Sequence, residues 1–350
     1  MLFIDNQKMD MMNKTQKKRF EKTTSIKYYD FFCKNEIMMS KIITNQMDYQ
    51  FFFSLVIGYK KVKMSENSSL LYENQIHETI RMDKIYLSMD YYIPGAHLTK
   101  TFSDYYGFSS GLHDFASKKL YIMKLIRSFR FGINTINILS KHKVVHMQIF
   151  PKNIIFMSDN TTILSNFSRG FQYEKILQER NIIKEIFSIH HVNNVYLPLE
   201  AHLLSFIHEK GFSSLSASNI EEVSYAWKSA IKSSSIGCYF SEDYFIEEPF
   251  FLSLMSLINK SKREIEDKIL GYSHGWNAYS YGILFLQLCR FFDNHTIEKE
   301  CLFSKRLNCE LQRLICIDPK ERKSLNTVSQ YIEDSIMSIK EPEWIEICRD

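Results

Sequence analysis

The chain has 350 residues, 45% hydrophobic and 14% aromatic, with a formal net charge of +4. That much apolar side chain can fill a large core, which excludes an intrinsically disordered protein. The small net charge, with its one lysine-rich patch confined to Lys14–Lys22, gives no footing for a nucleic-acid-binding function. The seven cysteines are scattered, odd in number and without a C-x-x-C pair. Reduced thiols in a cytoplasmic compartment fit that pattern, and a disulfide framework or zinc site does not. No apolar run reaches the length of a membrane span, and the first residues lack an apolar signal core. A cytoplasmic protein with no signal peptide and no membrane span is therefore expected.

Residues 1 to 24 contain no glycine, so a G-x-G-x-x-G loop over a phosphate cannot be placed there. Thr23 to Tyr28 is a short β-prone run that includes Ile26-Lys27. A helix follows, with Tyr29, Phe32, Glu36, Met39 and Ile43 on one face. Glu36 stands out, because a carboxylate on an apolar stripe needs a partner. Phe51–Met64 and Ile85–Tyr92 read as strands, the second with period-two alternation. Tyr91-Tyr92-Ile93-Pro94-Gly95 breaks it with turn chemistry, and a domain boundary is placed there, giving regions 1–92 and 93–350.

Residues 117 to 141 carry the clearest helical pattern, with Ile122, Ile126, Phe129, Ile133 and Ile136 stepping by four and three. The helix runs into His146-Met147-Gln148-Ile149-Phe150-Pro151-Lys152-Asn153 and the apolar Ile154-Ile155-Phe156. Thr161 to Ser168 places Asn166-Phe167-Ser168 after another short strand, with Gln148 and Asn166 eighteen residues apart. Pro198-Leu199-Glu200 precedes a mostly helical stretch, 201–270, with a capping box expected at Ser218 to Glu221. Asn277-Ala278-Tyr279-Ser280-Tyr281-Gly282 opens a further apolar helix, and Asp318-Pro319-Lys320-Glu321-Arg322 follows.

In this order and spacing the stretches resemble degraded motifs of the protein kinase superfamily. His146 to Asn153 resembles the catalytic loop H-R-D-x-K-x-x-N, and Asn166-Phe167-Ser168 resembles D-F-G. Pro198-Leu199-Glu200 resembles A-P-E, Asn277 to Gly282 resembles D-x-W-S-x-G, and Asp318 to Arg322 matches D-P-x-x-R. The long 201–270 segment and the A/T-rich residue usage are similar to the divergent kinases of large DNA viruses. That would place the protein in host cytoplasm or virion.

The resemblance implies an α+β, bilobal fold, with a reduced β-rich N-lobe over 1–92 and a helical C-lobe over 93–350 carrying an insertion at about 201–270. It implies a Lys27–Glu36 pair as the nucleotide-binding element, and Asn153 and Asn166 at the metal-ligand positions. His146, Phe167, Glu200, Asn277 and Arg322 take structural roles, with an ion pair between Glu200 and Arg322.

The chemistry is altered where the reaction would occur. Gln148 stands at the position of the catalytic Asp, and an amide cannot act as a base. Asn153 and Asn166 are neutral, whereas Mg²⁺ favours carboxylate and phosphate oxygens. Phe150 replaces the loop lysine, and Met147 replaces the arginine. The expectation is a pseudokinase that acts by binding a protein partner and requires no cofactor. The alternative is a divergent Ser/Thr protein kinase that uses ATP and Mg²⁺ on a protein substrate.

Overall fold

A computed structural model describes residues 31–45, 52–63, 77–82, 85–91, 100–101, 115–156, 161–188, 193–240, 248–296 and 302–347. The protein is of the α+β class and mostly helical. It divides into two compact units: Met1–Ala96 with Ser165–Gly170, and His97–Leu164 with Phe171–Asp350.

In the first unit, helix α1 covers 31–44 and buries Phe32, Cys33, Met39 and Ile43 on one face. Glu36 lies on that face, as its spacing predicted, and Tyr29 lies outside the described residues. Strands β1 (Val56–Lys63), β2 (His77–Met82) and β3 (Ile85–Tyr91) form an antiparallel sheet in the order β1-β3-β2. β1 is shorter than the Phe51–Met64 run because Phe53 and Leu55 turn into the core before the ladder begins. The Ser40 hydroxyl accepts the Val56 N–H at 3.0 Å, tying the start of the sheet to α1. β2 escapes sequence reading because charged residues interrupt its alternation; its pairing with β3 sets it as a strand.

In the second unit, β4 (Lys100–Thr101), β6 (Ile154–Phe156) and β7 (Thr162–Leu164) form one small sheet, and β5 (Val144–Val145) pairs with β8 (Phe171–Gln172). Helix α2 (Phe115–Lys141) buries Ile122, Leu125, Phe129, Ile133 and Ile136. Leu125 rather than Ile126 faces the core, since the four-and-three stepping leaves both at the edge of the stripe and packing selects one.

Short helices α3 (Tyr173–Ile176) and α4 (Arg180–Ile186) precede α5 (Leu199–Lys210), α6 (Ala217–Ser233), α7 (Glu248–Met255) and α8 (Lys262–Leu270). Helices α5 to α8 make the 201–270 stretch mostly helical, and α5 runs through its expected start. The capping box expected at Ser218 to Glu221 lies two residues earlier. Ser216 caps α6 with Asn219 as its reciprocal partner, while Ser218 and Glu221 are exposed helix residues. A second box, Ser261 with Glu264, opens α8.

Helix α9 (Trp276–Thr296) is buried almost all round over its first half, as a core helix must be. Phe129 of α2 stacks on Tyr281 with ring centroids 5.5 Å apart and meets Phe285 edge-on at 4.5 Å. Two glycines permit the close approaches. A Cβ on Gly132 would stand 1.9 Å from the Tyr281 hydroxyl, and one on Gly282 would stand 2.8 Å from Ile315. Helices α10 (Leu302–Gln312), α11 (Leu325–Met337) and α12 (Glu341–Ile347) complete the unit. No helix among the described residues is long and apolar enough to cross a membrane.

Candidate functional site

The loop after β5 is held by amides. Asn277, in the first turn of α9 and 3% exposed, accepts the His146 N–H at 2.9 Å through Oδ1. Its Nδ2 donates to the Val144 carbonyl at 2.7 Å. One side chain thereby brackets the chain on both sides of Val145, which a carboxylate, having no donor, could not do. The buried His146 ring accepts the Gln148 N–H at Nδ1, 3.2 Å away, so a neutral ring carries its proton on Nε2. Met147 between them takes a left-handed φ of 63°. Asn153 Nδ2 donates to the Gln148 carbonyl at 2.8 Å and closes the loop from its far end.

Around that loop, Phe150 faces Tyr196 with ring centroids 5.8 Å apart, and the Tyr196 hydroxyl donates to Gln287. Burial raises the Tyr196 pKa, so this phenol is a neutral donor. The Lys152 ammonium lies 5.1 Å from the Phe150 ring centroid, a cation–π distance. A cation therefore stands beside Phe150, two residues along the loop.

Glu200 and Arg322 meet directly. The guanidinium donates to Oε1 at 2.5 Å and to Oε2 at 3.1 Å, with the side chains 3% and 0% exposed for Arg322 and Glu200. Trp276 Nε1 adds a third donor to Oε1 at 3.1 Å. Arg322 Nε donates to the Cys316 carbonyl at 2.9 Å, and the guanidinium lies 5.1 Å from the Tyr279 ring centroid. The pair joins the first turn of α5, the start of α9 and the segment before α11.

In the first unit, the Phe167 N–H donates to Glu36 Oε1 at 3.3 Å. Lys27, expected to pair with Glu36, lies outside the described residues. Asn35, which sequence reasoning passed over, donates both amide hydrogens, to the Ser168 carbonyl at 2.7 Å and the Gly170 carbonyl at 2.8 Å. Helix α1 thus clasps the 165–170 segment through consecutive residues. The available signal was an amide inside an apolar helical stretch, which needs buried partners. Asn166 takes a φ of 66°, and its Oδ1 accepts the Ser168 hydroxyl at 2.7 Å. Phe167 is fully buried and meets Phe53 at 5.7 Å.

These placements bring together His146, Gln148, Asn153 and Asn277 in one set of hydrogen bonds, and Glu200 with Arg322 in another. Asn166, Phe167 and Glu36 belong to the first unit. Of the two expected metal ligands, Asn153 belongs to the second unit and donates its amide to the Gln148 carbonyl, and Asn166 belongs to the first and accepts the Ser168 hydroxyl. Among the described residues no group of three or more His, Cys, Asp or Glu side chains could hold a metal ion. No family model matches the chain, and no curated protein matches it.

Proposed function

We propose that the chain is a protein-kinase-like pseudokinase of bilobal architecture, impaired in phosphoryl transfer, which acts by binding a protein partner. One observation carries the reading. The His146–Asn153 loop is held as a fixed shape by Asn277 and Asn153, while the residue at its catalytic position is an amide. The loop's architecture is supported independently of any reacting group. General-base assistance is worth about 10² to 10⁴ in rate, and Gln148 cannot supply it. The loss of anionic metal ligands at Asn153 and Asn166 removes further charge stabilisation.

A second reading, a divergent Ser/Thr protein kinase with Lys27 on ATP, is favoured by the Lys152 ammonium beside the Phe150 ring. That lysine returns a cation to the loop. Melting the full chain with and without millimolar ATP and Mg²⁺ separates the two, because a ligand of the native state must raise stability. The pseudokinase reading expects an unchanged Tm. A rise that needs both nucleotide and Mg²⁺ would show nucleotide binding, by a kinase or by a nucleotide-binding scaffold without transfer, and phosphate transfer that disappears in Lys27→Met would favour the kinase.

A further inference from the structure

Helix α2 has two faces. Ile122, Leu125, Phe129, Ile133 and Ile136 turn one of them into the core. On the other, Leu120, Met123, Arg127 and Arg130 are all exposed. At about 100° per residue these four fall within about 80° of one another and form a single stripe along the helix. Leu120 is 56% exposed and Met123 41%, an apolar pair one turn apart, with the two arginines following on the next two turns.

The charge on this helix is of one sign. Its sequence holds Lys118, Lys119, Lys124, Arg127, Arg130 and Lys141 and neither Asp nor Glu. Lys118 and Lys119 stand near its N-terminus, where carboxylates would offset the positive end of the helix dipole. The molecule itself supplies little compensation. Glu341 takes Lys119 at 3.0 Å and Glu333 takes Arg130 at 3.1 Å, each pair with one side chain about two-thirds in solvent, where such contacts are weak. Lys124 and Arg127 have no ion pair among the described residues.

The neighbouring helices narrow the choice of partner. Asn137 of α2 donates to Asn326 of α11 at 2.7 Å, and the Lys119 ammonium lies 5.2 Å from the ring centroid of Trp344 on α12. Both helices therefore lie alongside α2, and they bring Glu333, Asp334 and Glu341 with them. A broad anionic surface such as a membrane would meet those carboxylates together with the arginines. A single helix laid along α2 follows the stripe alone, with its own apolar residues and carboxylates spaced to match.

We propose that the Leu120–Arg130 stripe of α2 docks an acidic amphipathic helix of a partner protein, whose apolar side chains cover Leu120 and Met123 and whose carboxylates face Lys124, Arg127 and Arg130. The stripe supplies the partner contact that the pseudokinase reading calls for, and in that respect rests on it, but it uses no residue of the His146–Asn153 loop. Binding measured without nucleotide keeps the two apart. Phosphate transfer would overturn the pseudokinase reading alone, and failure to dock would overturn the stripe alone.

The test is fluorescence anisotropy of a labelled synthetic helical peptide titrated with the full chain. The peptide carries leucines at three- and four-residue spacing and glutamates one and two turns beyond them. Saturable binding that weakens with added salt is expected. Arg127→Glu should weaken it about tenfold by setting like charges against each other, and Leu120→Ser should weaken it as well. Both side chains are exposed, so an unchanged Tm should accompany the loss, and Arg263→Glu, at an exposed position on α8, should bind as wild type does. No saturable binding, equal binding by Arg127→Glu, or equal binding of a scrambled peptide overturns the proposal. Phosphatidylserine vesicles that bind where the peptide does not would assign the stripe to a membrane, and a dimer that Leu120→Glu dissolves would assign it to a second copy; either result overturns it too.

Discussion

Glu200 and Arg322, 122 residues apart in the chain, meet as a bidentate ion pair from which water is almost wholly excluded. Removing one partner leaves the other charge buried without its counter-ion. Arg322→Ala is expected to destabilise the protein by about 3 to 5 kcal/mol, read from the midpoint of urea unfolding. Arg322→Lys should recover little, because an ammonium cannot reproduce the two-pronged geometry or the bond to Cys316. A midpoint within error of wild type for Arg322→Ala would show that the pair carries no stability.

Asn277 offers a sharper contrast, since it both accepts from His146 and donates to Val144. Asn277→Asp keeps the acceptor and sets a negative oxygen against a carbonyl. It should cost on the order of 1 to 3 kcal/mol, the range for a buried polar group left unsatisfied. Amide exchange at His146 should accelerate in the variant. Equal stability of the two proteins would mean that the Val144 bond is dispensable.

In the first unit, Asn35→Leu removes both bonds to the 165–170 segment while keeping the helix and its apolar contacts. The expected result is faster hydrogen exchange in peptides spanning 165–170, with little change across α2 and α9. Unaltered protection of that segment would count against the clasp.

The pH response of stability tests the burial of His208. Its pKa is pushed down to about 4, first by burial and then by the charges of Lys262 and Lys184. The unfolded imidazole titrates near 6.5, so between 6.5 and about 4 the unfolded chain binds a proton that the folded chain refuses. Stability from this group is full above 6.5 and falls as pH drops through that window, by on the order of 2 kcal/mol. Glu266, whose carboxyl is raised chiefly by burial, works in the opposite sense. The comparison is therefore wild type against His208→Gln, in phosphate-free buffer. The variant should lose less stability between neutral and acid pH, and parallel curves would refute the assignment.

Close packing of α2 on α9 is tested by Gly132→Ala, whose new methyl would collide with the Tyr281 hydroxyl. A cost of about 1 to 3 kcal/mol is expected from overpacking. Tyr281→Phe should relieve only part of it, because ring carbons also stand within 2.8 Å of the added Cβ. Full additivity in the double-mutant cycle would indicate that the two side chains do not collide.

Readings from sequence succeeded where a residue's need is local or its motif is ordered. Glu36 shows itself as a carboxylate on an apolar stripe, and the structure buries it. The meeting of Glu200 and Arg322 was implied by the resemblance of their stretches to A-P-E and D-P-x-x-R, and the two residues do pair. Asn35 and the Arg180, Glu266 and His208 group were passed over because their partners come from distant elements, and spacing within one helix carries no record of them. The misplaced capping box has a different cause. Ser218-x-x-Glu221 fits the Ser/Thr-x-x-Glu/Gln pattern and Ser216-x-x-Asn219 departs from it at Asn219, yet the helix begins after Ser216 and the Asn219 side chain takes the reciprocal role. Ile126 lost its core place to Leu125 for a similar reason, both lying on the margin of the buried stripe.

The proposal under test is that the chain is impaired in transferring phosphate. Its most direct measurement is incubation of the purified full chain with labelled ATP and Mg²⁺, followed by counting of phosphate on the chain itself and on a generic protein substrate. The account predicts no incorporation above that of a heat-denatured control. Robust transfer that vanishes in Lys27→Met would contradict it.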